Sequence, residues 1–166
     1  MNAFWSYFWP PFGAGLAVGI VAGDFAFRRR GSRYLSLAIG VVAAIALAAL
    51  WHGPAGAADR FTDEVERGIR QTIVYWEIPQ VNGHLHHGPL TRRAILSGPA
   101  DDFQRSQLAQ YISQVPGVSS ASWSATAAGI PLIVEGAGVA LLGFLFGLFG
   151  AYLRDIRRRY NAQWNW

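Results

Sequence analysis

The chain's 166 residues suffice for one ordinary domain, but 52% are hydrophobic and only 14% charged, with 7 tryptophans, 19 glycines and no cysteine. That is not the composition of a soluble domain, and the missing cysteines exclude disulfides, a thiolate nucleophile and a thiolate metal site. The net charge of +4 comes from arginine alone, and it is concentrated at residues 28–33 and 154–159.

Between those clusters, Arg60, Arg67, Arg70, Arg92, Arg93 and Arg105 are offset by Asp59, Asp63, Glu64, Glu66, Glu77, Asp101 and Asp102. The middle therefore lacks the basic face of a nucleic-acid binder, and no nucleic-acid partner is expected. Residues 1–11 carry Phe4, Trp5, Tyr7, Phe8 and Trp9 without a charge, an aromatic mix that collects at a membrane–water boundary. The apolar run over residues 12–27 reaches spanning length by recruiting part of this tail, as about 20 residues are needed for a ~30 Å core. The first span is therefore placed at residues 8–27. Gly15, Gly19 and Gly23 lie four apart and predict a groove of bare backbone for another helix. Gly13, Gly15 and Gly19 also imitate part of a dinucleotide fingerprint, but no strand precedes them. Asp24, the acid of this helix, is expected to pair with Arg28 one turn on.

Arg28, Arg29, Arg30 and Arg33 then form a short loop before a second apolar run, residues 34–51, with a small-residue stripe at Gly40, Ala44 and Ala48. Arginine-rich loops stay cytoplasmic, so the two spans read as a hairpin with its N-terminus outside. The basic cluster follows the apolar run, whereas a cleaved secretory signal begins with one, so the first helix reads as an uncleaved anchor.

A glycine- and proline-rich linker leads to an amphipathic helix over residues 59–76, with Phe61, Val65, Ile69, Ile73 and Trp76 at helical spacing. Residues 77–97 read as a hairpin, with turn chemistry at Asn82-Gly83 and Gly88-Pro89 and a strand over 92–97. A helix over 101–115 follows, capped by Asp101 or Asp102 and stopped at Pro116-Gly117. A last strand covers 118–125. Trp76, Tyr111 and Trp123 are core candidates. The third span, residues 129–153, carries Gly143, Gly147 and Ala151 at the same four-residue spacing, which predicts packing against the first. It ends in a basic tail with Arg154, Arg157, Arg158 and Arg159, expected on the inner membrane surface.

The fold class is thus a membrane protein with three transmembrane helices and a small α+β extramembrane domain. Residues 1–53 hold the tail and hairpin, 54–126 a periplasmic domain, and 127–166 the third span and cytoplasmic tail. Ala94-Ile95-Leu96-Ser97-Gly98-Pro99-Ala100-Asp101-Asp102, a helix with Gln104-Arg105, and Val115-Pro116-Gly117-Val118 resemble the second half of a BON domain, the bacterial osmotic-shock and nodulation module. The resemblance covers residues 59–125. It implies two helices on a three-stranded sheet, a place in the bacterial envelope and a non-enzymatic role in binding membranes or proteins.

Three side-chain sets bear on function. His84 and His86 would share a strand face and, with His87, are the candidates for a zinc or copper site. An exposed hairpin is where imidazoles are ordinarily solvated, so no metal and no cofactor is assigned. Glu135 inside the third span and Asp24 inside the first are intramembrane acids. The two arginine clusters would contact anionic lipid. No Gly-x-Ser-x-Gly elbow or phosphate loop is present, and the chain is not expected to be an enzyme. The leading expectation is an inner-membrane envelope protein whose periplasmic domain contacts lipid headgroups or a protein partner. The alternatives are an accessory subunit of a larger membrane-protein complex, and a periplasmic metal-binding or sensing protein.

Overall fold

The computed structural model describes residues 2–28, 32–124 and 129–163, with 162 and 163 by backbone alone. Its elements are α1 (Ala3–Arg28), α2 (Arg33–His52), α3 (Ala57–Tyr75), β1 (Asn82–His87), β2 (Leu90–Ser97), α4 (Asp102–Ser113), β3 (Ser120–Ser122) and α5 (Leu132–Gln163). α1, α2 and α5 are long and apolar enough to cross a membrane. The chain divides into two compact units: a helical unit of Phe8–Ala55 with Gly136–Trp166, and a mixed unit of Met1–Tyr7 with Gly56–Glu135.

Helix α1 begins earlier than the hydropathy suggests. The aromatic N-terminus is helical from Ala3, with Pro10 and Pro11 inside the helix. Prolines donate no N–H, so the ladder bonds to the carbonyls of Ser6 and Tyr7 are missing, and the unit boundary falls at this gap. The basic C-terminus is likewise not a separate tail. It continues α5 to Gln163, with Arg159 Nη2 2.7 Å from Asp155 Oδ2 one turn back.

In the helical unit α1 and α5 approach backbone to backbone. A methyl placed on Gly15 or Gly19 would overlap the carbonyl of Ala140 or Phe144, and one on Gly143 or Gly147 that of Phe12 or Leu16. Two glycines from each helix thus sit against carbonyls of the other. Lipid tails are as apolar as leucine, so close van der Waals packing of this kind, and not burial from water, is what joins such helices. Gly40 of α2 takes the Phe144 ring edge, where a Cβ would lie 2.7 Å from Cε2, and Ala44 is buried in the same cluster.

In the mixed unit Phe61, Val65, Ile69 and Ile73 of α3 are buried, as are Leu85, Leu96, Leu108 and Ile112 from the strands and α4. β1 pairs antiparallel with β2, and β2 pairs parallel with β3 after a crossover through α4. Asn82 and Gly83 lie in β1, not in a turn, and Ile69 packs on Gly83; the turn is at 88–89. Asp101 is the cap of α4: its Oδ1 accepts from Gln104 N at 2.7 Å, and Gln104 Oε1 accepts from Asp101 N at 3.2 Å. β3 is shorter than the alternation suggests. Val118 is held in a turn to Val115, and Trp123 donates Nε1–H to the Arg105 carbonyl of α4 at 3.0 Å. Ala125, the end of the expected strand, lies outside the described residues.

Gly98 (φ +127°) and Gly117 (φ +105°) occupy the left-handed region, and a Cβ at Gly117 would lie 2.6 Å from Val65 Cγ2. These are the glycines of the Leu-Ser-Gly and Pro-Gly-Val stretches, so both motifs have a steric cause.

Gly19→Val or Gly147→Val is expected to destabilise the detergent-solubilised protein by about 2 kcal/mol or more, through overpacking against backbone. Gly13→Ala, at a position with nothing within 4 Å, should be neutral or slightly stabilising. Thermal unfolding followed by circular dichroism checks both.

Candidate functional site

Each acid expected in the membrane has a cationic partner, and neither partner is the nearest one in sequence. Asp24 Oδ2 accepts from Arg154 Nη1 of α5 at 3.0 Å, where a local bond to Arg28 was expected. The close approach of α1 and α5 brings the two together. Glu135, in the first turn of α5, accepts from Arg92 Nε of β2 at 2.5 Å. Both side chains are about four-fifths buried. The Arg92 guanidinium lies over the Phe4 ring, 5.3 Å from its centroid, and Tyr7 packs on Phe61 at 5.4 Å. The first turns of α1 and the start of α5 are therefore integral to the mixed unit, and Glu135 does structural work there.

The histidines are arranged differently from a simple strand. A bulge between Leu85 and His87 breaks the alternation, so the rings of His84 and His87 stack, 6.3 Å apart and nearly parallel, in place of a shared face at 84 and 86. His86 Nδ1 is 2.9 Å from the Pro89 carbonyl. The carboxylate beside them is Glu66 of α3. Its Oε1 accepts from Leu85 N at 3.0 Å and lies 3.2 Å from His87 Nε2. Glu77, the nearest acid to them in sequence, instead turns the chain after α3 with φ +56°. Among the described residues no three His, Asp or Glu side chains converge as a metal would require.

Of the arginines expected to meet lipid, Arg29 and Arg30 lie outside the described residues. Arg28, Arg33, Arg157 and Arg158 are exposed. Arg154 and Arg159 are engaged by Asp24 and Asp155.

A feature not anticipated lies between α3 and α4. Trp76, expected in the core, is 40% exposed and stacks on Tyr111, with centroids 4.1 Å apart and planes 21° apart. Beside this pair opens a cleft of about 520 Å³, lined by Gly68, Gln71, Thr72, Tyr75, Gln114 and Pro116 among others. Tyr75 stands out into solvent at its edge, as do Val74 and Phe103, which line neighbouring depressions that share Tyr75 or Tyr111 with it. No family model, curated protein or solved structure matches the chain. The cleft is thus read on its chemistry alone: aromatic faces, side-chain amides and little charge. Its sequence signal is that Val74 and Tyr75 fall off the stripe set by Phe61, Val65, Ile69 and Ile73, so α3 cannot bury them on the sheet.

Removing one partner of the Arg92–Glu135 pair (Arg92→Met or Glu135→Gln) is expected to cost about 1.5–3 kcal/mol, because the other charge stays largely desolvated. The double variant should cost less than the sum of the two. A double-mutant cycle from denaturant unfolding measures this coupling.

Proposed function

We propose that this chain is a non-enzymatic envelope protein. Three helices anchor it in the bacterial inner membrane, and its mixed unit stands on the periplasmic side and binds a protein partner through the α3–α4 face. The cleft beside the Trp76–Tyr111 stack carries this reading. Exposed aromatics next to amide groups form the kind of surface in which tyrosine and tryptophan dominate binding energy. The element order helix, strand, strand, helix, strand, with left-handed glycines at the two motif positions, supports the resemblance to a BON domain. The charge rule applied to Arg28–Arg33 and Arg154–Arg159 supports the orientation, with the N-terminus outside and the C-terminus cytoplasmic. A second reading, anionic lipid headgroups as the ligand, is favoured by Arg67 and Arg70, which share a neighbouring depression with Val74 and Tyr75.

Photocrosslinking in native membranes tests both. A photoreactive residue at Tyr75 or Phe103 is expected to yield protein adducts that one at Asp59, exposed near the opposite end of α3, does not. Trp76→Ala should remove them. Adducts to lipid alone would select the second reading. Equal labelling from all three positions would overturn both.

A further inference from the structure

The helical unit contains a second concave surface with a different chemistry. Between α1 and α2 runs a groove of about 540 Å³, lined by Ala17, Val18, Val21, Ala22 and Phe25 on one side and Ser36, Ile39, Gly40 and Ala43 on the other. It is almost wholly apolar, and its rims are open: Val21, Phe25 and Ile39 are each more than half exposed. Small side chains at Ala17 and Ala43 keep it shallow-walled, while Gly40 forms part of its floor against Ala22 and Phe144.

Length and charge indicate what fits. From Ala17 to Phe25 the groove runs about 12 Å along α1, most of the ~15 Å half-thickness of a hydrocarbon core. It therefore spans one leaflet. At one end Phe25 and Ser36 face each other across it. Arg28 lies three residues beyond Phe25, and Arg33 three before Ser36, so helical spacing places both positions about one turn past the mouth of the groove. Both are exposed, and among the described residues neither forms an ion pair, while the Arg33 guanidinium lies over the Phe27 ring, 5.9 Å from its centroid, a weak contact that a phosphate would compete with. The nearest acid in sequence, Asp24, is held on α5 by Arg154. An apolar slot one leaflet long, with two guanidinium groups and a hydroxyl at its headgroup end, complements a single amphiphile: an acyl chain below a negative phosphate.

We infer that the α1–α2 groove is a binding site for one anionic glycerophospholipid. One acyl chain lies between Val21 and Ile39, and the phosphate rests between Arg28, Arg33 and the Ser36 hydroxyl. This is a defined site and not a diffuse basic surface, because it requires the slot and the two arginines together. It lies wholly in the helical unit, so its loss would leave binding by the α3–α4 face intact.

The full-length chain, purified in mild detergent and mixed with equal amounts of phosphatidylglycerol and phosphatidylcholine, is examined by native mass spectrometry. One phosphatidylglycerol per chain is expected to be retained in preference to phosphatidylcholine. Arg28→Gln and Arg33→Gln should each weaken that preference roughly fivefold, the size of one arginine's attraction to an anionic headgroup. Ala17→Phe and Ala43→Phe fill the slot without altering charge and should reduce retention of both lipids, while circular dichroism reports unchanged helicity. Equal retention of the two lipids by the unaltered chain would overturn the assignment. So would unchanged retention in both kinds of variant. Copy-to-copy crosslinks from a photoreactive residue at Val21 would give the groove to a second chain and also overturn it.

Discussion

The close approach of α1 and α5 is the constraint from which most of the helical unit follows. Four glycines, two on each helix, stand against carbonyls of the opposite strand of backbone, and no other residue type leaves room. Between helices in lipid the hydrophobic effect contributes little, so such complementarity must supply the association. It also settles the electrostatics. Once the helices are this close, Asp24 meets Arg154 across the interface, and an isolated acid within an apolar helix becomes half of an ion pair. With Asp24 held by Arg154, no carboxylate among the described residues pairs with Arg28 or Arg33, and Arg33 rests over the Phe27 ring.

The mixed unit depends on different physics. Its core is an amphipathic helix laid on a small sheet, closed by α4 through a reciprocal capping box. A three-stranded sheet depends on what packs on its apolar face. The first turns of α1 and the start of α5 add to it: Phe4 lies against the Arg92 guanidinium, Tyr7 on Phe61, Glu135 on Arg92, and Thr91 bridges to Pro131. The two terminal helices are thus shared, each giving its outermost turn to the mixed unit and its length to the helical one.

Much of this was legible because it rests on local periodicity. The four-residue glycine spacing implied the α1–α5 contact, and the stripe Phe61, Val65, Ile69, Ile73 marked the buried face of α3. Reading failed where long-range partners override local rules. Arg28 lies nearest to Asp24 along the chain, but α5 supplies its cation. Asn82-Gly83 has turn chemistry, yet Ile69 packs against Gly83 and holds it in a strand. The bulge at Leu85/His87 reversed which imidazoles share a face, and nothing in the residue types there announces a bulge. Trp76 continued the buried spacing on paper, but α3 ends at Tyr75 and the left-handed Glu77 redirects the chain, leaving the indole on Tyr111 at the surface.

Because the chain has no cysteine, pairs of introduced cysteines report the α1–α5 contact without background. Phe12→Cys with Phe146→Cys, and Phe27→Cys with Tyr152→Cys, replace ring pairs whose centroids are 6.1 Å and 5.9 Å apart. Gly13→Cys with Gly150→Cys places two cysteines where nothing lies within 4 Å. Treatment of native membranes with a short thiol crosslinker should join the first two pairs within one chain and leave the third unjoined. Equal crosslinking of all three pairs, or crosslinks formed only between chains, would contradict the glycine-mediated packing.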